Sequence, residues 1–83
     1  MKINVTSKHI KDGVPEGTDT CPVALALKDV GVKNVCVDGL TAEGTLNGTD
    51  FDLDLPEKAI DWITHFDDGD EVKPMSFALK GLS

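Results

Sequence analysis

Cysteine and histidine are the residue types in this chain that could support covalent chemistry. Cys21 stands directly before Pro22, and proline favours the first position of a helix, so Cys21 is the expected N-cap. A thiol at a helix N-terminus is activated when the dipole and the free N–H groups stabilise its thiolate. With His9 or His65 nearby, Cys21 could form a Cys–His hydrolytic pair. The sequence places neither histidine there, and cysteine more often packs as a small hydrophobic residue.

The cysteines and histidines also have the ligand types of a zinc site. Their positions, Cys21, Cys36, His9 and His65, show none of the short paired spacings typical of such sites. We therefore expect no metal and no cofactor. The first six residues alternate apolar and polar instead of forming the apolar run of a signal peptide, so we expect a cytoplasmic protein with two free thiols.

The carboxylates form a sharper pattern than the thiols. Between Asp50 and Leu55, acidic and apolar residues alternate strictly, which places three carboxylates about 6.8 Å apart on one face of a strand. Residues 38–71 contain eleven acids and one lysine, in a chain whose net charge is −7. The acids that we predict to form a binding surface are Asp50, Asp52, Asp54, Glu57, Asp61, Asp67, Asp68, Asp70 and Glu71.

Four of these acids follow a predicted helix C-terminus, where the helix dipole disfavours negative charge. The segment Asp67–Glu71 does not match the spacing of an EF-hand calcium loop. Spaced carboxylates can instead occupy a basic channel made for phosphates, or they can simply keep a surface solvated. His65 is near several of these acids, and we expect it to form a local ion pair.

Charge and hydropathy also restrict the partners. All basic residues are lysine, and without arginine the chain lacks the side chain best suited to bidentate contacts with phosphates and guanines. Direct binding to nucleic acid is therefore not expected. The longest apolar run, 23–27, is far shorter than a membrane span, so we also expect no contact with a membrane.

Periodicity and breaker residues predict one α+β domain over residues 1–83 in the order β-α-β-β-α-β. Two helices would pack on a mainly antiparallel sheet of three or four strands, and a ferredoxin-like arrangement has this order. The predicted strands are 1–6, 32–38, 45–46 with 49–55, and 74–80. The predicted helices are 22–30 and the segment from Pro56 to Asp67. Residues 7–19 are predicted to be a loop, and residues 40–44 a turn.

Apolar stripes on these elements predict the core. Its members are Ile3, Val5, Val23, Ala24, Leu27, Val30, Val35, Val37, Phe51, Leu53, Ile60, Ile63, Phe66, Phe77 and Leu79. Leu25 and Ala26 lie off the main stripe of their helix, and a small domain has little material to cover them. We therefore expect a homodimer.

A set of positions across most of the chain resembles small uncharacterised proteins encoded by tailed phages and prophages. They include His9-Ile10, the segment 21–27, Leu55-Pro56, Ala59, Trp62-Ile63, Phe66-Asp67, Gly69, Val72, Pro74 and Phe77. No activity is assigned to that group, so the resemblance implies no catalytic residues. It implies that a small acidic protein of this kind acts by binding and blocking a host protein.

The patterns together favour a non-catalytic, acidic protein-binding module. Its partner would present a basic surface, as a host nucleic-acid-binding protein does, and the chain would inhibit or modulate it. Two alternatives stay open at this point. One is a thiol hydrolase using Cys21, and the other is a structural or assembly protein of a phage.

Overall fold

Eight helices and strands follow one another in the computed structural model, which describes residues 1–81. In chain order they are β1 (Lys2–Val5), α1 (Ser7–Asp12), α2 (Pro22–Asp29), β2 (Lys33–Val37), β3 (Thr41–Leu46), β4 (Thr49–Asp54), α3 (Glu57–Asp67) and β5 (Met75–Ala78). The α+β class predicted from the sequence is confirmed. The element order is longer than predicted, because the structure contains the additional helix α1 and a full strand β3.

The strands form two antiparallel sheets. β1 pairs with β5, and β2, β3 and β4 form a second sheet in that order. A ferredoxin-like fold would place the first and last strands in the same sheet as the middle ones, and this structure does not. The short strand β1 pairs with β5 alone, with Ile3 opposite Phe77, and the two sheets contribute to one shared core.

Helix α2 is the centre of that core. Cys21 is its N-cap, with Sγ accepting a hydrogen bond from the Ala24 N–H at 3.4 Å. Pro22 occupies the first turn, and Gly31 follows the helix in the left-handed region at φ +99°. These signals confirm the predicted helix. Five of its eight residues are buried, so its packing dominates the interior.

Helix α1 lies in the segment predicted to be a loop, so the prediction for Ser7–Asp12 is wrong. A reciprocal cap starts this helix. The Thr6 N–H donates to Nδ1 of His9 at 2.9 Å, and the His9 N–H donates to the Thr6 hydroxyl oxygen at 3.4 Å. Nε2 of His9 lies 2.5 Å from a carboxylate oxygen of Asp29, which joins α1 to the end of α2. The breakers Gly13, Pro15 and Gly17 all come after the helix has ended.

The start of strand β3 also differs from the prediction. Residues 40–44 were predicted to be a turn, yet most of them belong to β3. The turn is Asn47-Gly48, whose φ angles of +53° and +81° fit a two-residue type I′ hairpin. Gly44 is buried in β3, where a Cβ atom would lie 2.4 Å from Cγ1 of Val32. Gly44 is therefore needed for close packing and does not mark a turn.

Helix α3 begins and ends close to the predicted positions. Pro56 is its N-cap rather than its first residue, and Gly69, at φ +84°, follows its C-terminus. The helix buries Ala59 and Ile63. Trp62 stacks on Phe66 with ring centroids 5.8 Å apart.

Most of the predicted core is buried, but not all of it. Phe51, Leu53, Ile60 and Phe66 are half-buried. Val30 is 40% exposed, so its assignment to the core is wrong, because it is the C-cap of α2 and points away from the interior. Buried residues that the prediction missed are Cys21, Ala26, Val32, Ala42, Leu55 and Ala59. Since Ala26 is buried within the protomer and Leu25 is half-buried, α2 offers less apolar surface to a second copy than the sequence suggested.

Replacing Leu27 by Ala tests the central role of α2. Leu27 is fully buried, so we expect the free energy of unfolding to fall by about 2–5 kcal/mol, through lost transfer energy and the cavity left behind. Chemical denaturation followed by circular dichroism measures the change. The control is Val30→Ala on the same helix, which should cost less than about 1 kcal/mol. Similar losses in the two variants would contradict this account of the core.

Candidate functional site

The outer face of the three-stranded sheet carries four carboxylates, which we call the acidic sheet face: Glu43, Asp50, Asp52 and Asp54. The β3–β4 register places Glu43 opposite Asp52, Thr45 opposite Asp50, and Thr41 opposite Asp54. All four acids are exposed. Their neighbours along the strands, Ala42, Phe51 and Leu53, belong to the core or pack against it, because alternate side chains point to opposite faces.

None of the four carboxylates of the acidic sheet face belongs to an ion pair within residues 1–81. Like charges directly opposite one another destabilise a sheet, and Glu43 and Asp52 are such a pair. The ion pairs in this range are His9–Asp29 and His65–Asp70, so no lysine is paired with these acids, although Lys33 lies opposite Thr45 on β2. Asp50 accepts a hydrogen bond of 2.6 Å from the Thr45 hydroxyl, a donor that carries no positive charge.

Glu43 is a member of this face that the sequence prediction did not include. The signal was present, because Thr41, Glu43 and Thr45 alternate with the small residues Ala42 and Gly44. Ala42 and Gly44 are too small to form an apolar stripe, so the sequence predicts a turn at residues 40–44. The open depression above the face is lined by Asn34, Glu43, Gly44, Thr45, Asp50, Phe51 and Asp52, with a volume of about 490 Å³.

The other predicted acids lie on helix α3 and in the segment that follows it. We call them the α3 acids: Glu57, Asp61, Asp67, Asp68, Asp70 and Glu71. Helix α3 packs on the shared core, since its Ala59 and Ile63 belong to the same buried cluster as Val37 of β2. The predicted acids therefore form two groups on different elements, the acidic sheet face and the α3 acids.

Two of the α3 acids have partners. Asp67 is half-buried, and its carboxylate accepts a hydrogen bond of 2.9 Å from the Glu16 N–H. Asp70 lies 2.9 Å from Nδ1 of His65, in the local ion pair expected from the sequence. The hydrogen bond to Asp70 raises the pKa of His65, and the charges of Asp70, Asp68 and Asp61 act in the same direction.

Cys21 lies in a cavity of about 320 Å³ whose lining includes Thr18, Val37, Ile63 and Asp67. The thiol is 4% exposed. Burial raises its pKa, and this outweighs the N-terminal N–H groups of α2 that lower it. The helix N-terminus therefore does not activate this thiol. Neither histidine lines the cavity, and the imidazoles of His9 and His65 are hydrogen-bonded to Asp29 and Asp70.

Residues 1–81 contain no group of three or more His, Cys, Asp or Glu side chains placed to hold a metal ion. No helix in this range has the length and apolar character needed to cross a membrane. The acidic sheet face is therefore the strongest candidate site among these residues.

Cys21 should be the less reactive of the two cysteines, whereas an activated Cys21 would be the more reactive. At neutral pH a thiol-specific reagent should modify half-buried Cys36 faster than buried Cys21, because Cys21 is less accessible and burial raises its pKa. Mass spectrometry of timed digests measures both rates. The control is the denatured chain, in which both should react alike. Modification of Cys21 faster than free cysteine would revive the hydrolase alternative.

Replacing Asp70 by Asn should lower the pKa of His65 towards its ordinary value of roughly 6.5, because it removes the hydrogen bond to a carboxylate that raises this pKa most. A raised folded-state pKa stabilises the fold below the unfolded-state pKa, and that contribution disappears as the pH rises through the folded-state value. NMR titration of the His65 ring measures the shift. The control Asp68→Asn removes only a more distant charge and should lower the pKa less. Equal effects would contradict the hydrogen bond.

Comparison with protein-family models, with curated proteins and with solved structures finds no match for this chain. No relative therefore contributes a known ligand or residue role. The inference about function depends on the charge and geometry of the acidic sheet face.

Proposed function

We propose that this is a non-catalytic protein that binds the basic surface of a partner protein through the acidic sheet face. The observation that carries the proposal is the set of four exposed carboxylates on neighbouring strands, with no cation paired to them among residues 1–81. A basic partner would supply the missing positive charge. The field of such a surface also increases the rate of encounter with that partner.

Two simpler explanations account for only part of this face. Charged side chains protect an edge strand from pairing with other chains, which would explain the acids of β4. That explanation does not extend to Glu43, because β3 is the central strand. General solubility needs negative charge somewhere, but it does not need a like-charged cross-strand pair that costs stability.

The partner class follows from the charge and from the resemblance to phage-encoded proteins. A host protein whose basic channel binds nucleic acid would meet carboxylates on this face in place of phosphates. Occupying that channel would inhibit the host protein, and the site of action would be the host cytoplasm. The raised pKa of Cys21 disfavours the thiol-hydrolase alternative.

A capture experiment with matched variants tests this function. The triple variant Asp50→Asn, Asp52→Asn, Asp54→Asn removes three charges from the acidic sheet face. The control Asp61→Asn, Asp68→Asn, Glu71→Gln removes three from the α3 acids. From bacterial lysate, the native chain and the control should retain a basic protein at low salt, and the sheet-face variant should lose at least about tenfold in affinity. Increasing salt should slow association, because charges farther apart than about 8–10 Å are screened at physiological ionic strength.

Unfolding would not explain a loss of binding by the sheet-face variant, because removing like charges from β4 should leave the sheet at least as stable. Circular dichroism of both variants checks this. Retention of the same partner by the sheet-face variant, or loss in both variants alike, would contradict a role for this face. Absence of any basic partner at low salt would contradict the proposed function.

A further inference from the structure

Strand β4 is paired on one side only. It lies at the edge of the sheet, with β3 as its neighbour and no further strand paired with it among residues 1–81. An edge strand presents a row of backbone N–H and C=O groups that can pair with another strand. Which residues present these groups depends on the hydrogen-bonding phase of the hairpin.

The turn fixes that phase. In a two-residue type I′ hairpin, the residues that flank the turn form a hydrogen-bonded pair, which here is Leu46 with Thr49. Hydrogen-bonded and non-hydrogen-bonded pairs then alternate along an antiparallel ladder. Phe51 and Leu53 therefore direct their backbone groups towards β3. The next odd-numbered residue, Leu55, follows the same phase, because its N–H donates to the Leu40 carbonyl at 2.9 Å.

The backbone N–H and C=O groups of Asp50, Asp52 and Asp54 consequently point to the open edge. None of them takes part in a backbone hydrogen bond in the turns, loops and caps of residues 1–81. The same three residues carry the carboxylates of β4. Hydrogen-bonding capacity and negative charge therefore coincide at every second residue of one strand.

We propose that the open edge of β4 binds a strand of the partner by antiparallel pairing, and that this strand carries Lys or Arg at alternate positions. The inference rests on the proposed function and adds how the partner binds. In a hydrogen-bonded antiparallel pair, the opposite residues lie about 5.5 Å apart at Cα, with side chains on the same face. Each basic side chain would then lie opposite Asp50, Asp52 or Asp54.

Charge decides between possible occupants of the edge. A second copy of β4 would bring Asp residues opposite Asp residues, which is destabilising. A neutral strand would satisfy the backbone groups but would leave the carboxylates unneutralised. A strand with alternating cations satisfies both requirements at once.

Short peptides in which Lys and Thr alternate, with three Lys, test this mode of binding. The reference peptide has an unmodified backbone. A second peptide is N-methylated at the Lys amides, which face β4 in an antiparallel pair, and a third at the Thr amides, which face away. Methylation preserves charge but removes hydrogen-bond donors. NMR titration of the full chain at low salt gives the affinity for each peptide. Hydrogen exchange measures the protection of the backbone amides of Asp50, Asp52 and Asp54.

We expect the reference and Thr-methylated peptides to bind alike, and the Lys-methylated peptide to lose at least about tenfold in affinity. The three Asp amides should become protected only with the reference peptide and the Thr-methylated peptide. Equal affinity for all three peptides, or no binding by any, would overturn strand addition. Protection of these amides without peptide, increasing with protein concentration, would also overturn it in favour of a second copy. If lysate capture still depends on the acidic sheet face, the proposed function survives these failures.

Discussion

The two-residue turn at Asn47-Gly48 is the constraint on which the sheet and its surface depend. Alternate residues of β4 are either apolar or acidic, so a shift of one residue in its pairing would bury carboxylates and expose Phe51 and Leu53. Positive φ angles at both turn positions allow the tight connection that fixes the register. One local backbone conformation therefore determines which face of the sheet is charged.

The core also requires that apolar and acidic side chains lie on opposite faces of the sheet. Helix α2 packs near β1 and β2, and it connects two sheets that share no hydrogen-bonded strand. Ile3 and Val5 from one sheet and Val35 and Val37 from the other belong to the same buried cluster. Because so few residues fill this interior, each inward side chain is needed for packing. Charged side chains can therefore be placed only at the outward positions.

Local signals explain what could be predicted from the sequence. Pro22, Gly31 and Gly69 gave the limits of two helices through backbone preferences that need no knowledge of the fold. Helix α1 was missed because its reciprocal cap uses His9 where the usual pattern has Glu or Gln. Only the end of strand β3, Thr45-Leu46, was predicted, because Ala42 and Gly44 form no apolar stripe. The pairing of β1 with β5 joins the two ends of the described chain, and no local pattern contains that information.

Local signals also predicted part of the candidate site. Alternation within β4 correctly indicated that its three acids share one exposed face. The contribution of Glu43, and the division between the acidic sheet face and the α3 acids, depend on which strands pair and where α3 packs. Both are long-range properties. The raised pKa of Cys21 likewise follows from burial, whereas the sequence shows only its position at a helix start.

The cap of α1 fixes the tautomer of one imidazole. The Thr6 N–H donates to Nδ1 of His9, so this nitrogen carries a lone pair, and the ring hydrogen must be on Nε2, directed at Asp29. One side chain therefore closes the first turn of α1 and also contacts the last residue of α2. The attachment of α1 to α2 thus depends on a single ring, and losing that ring would remove the helix cap and the contact between the helices together.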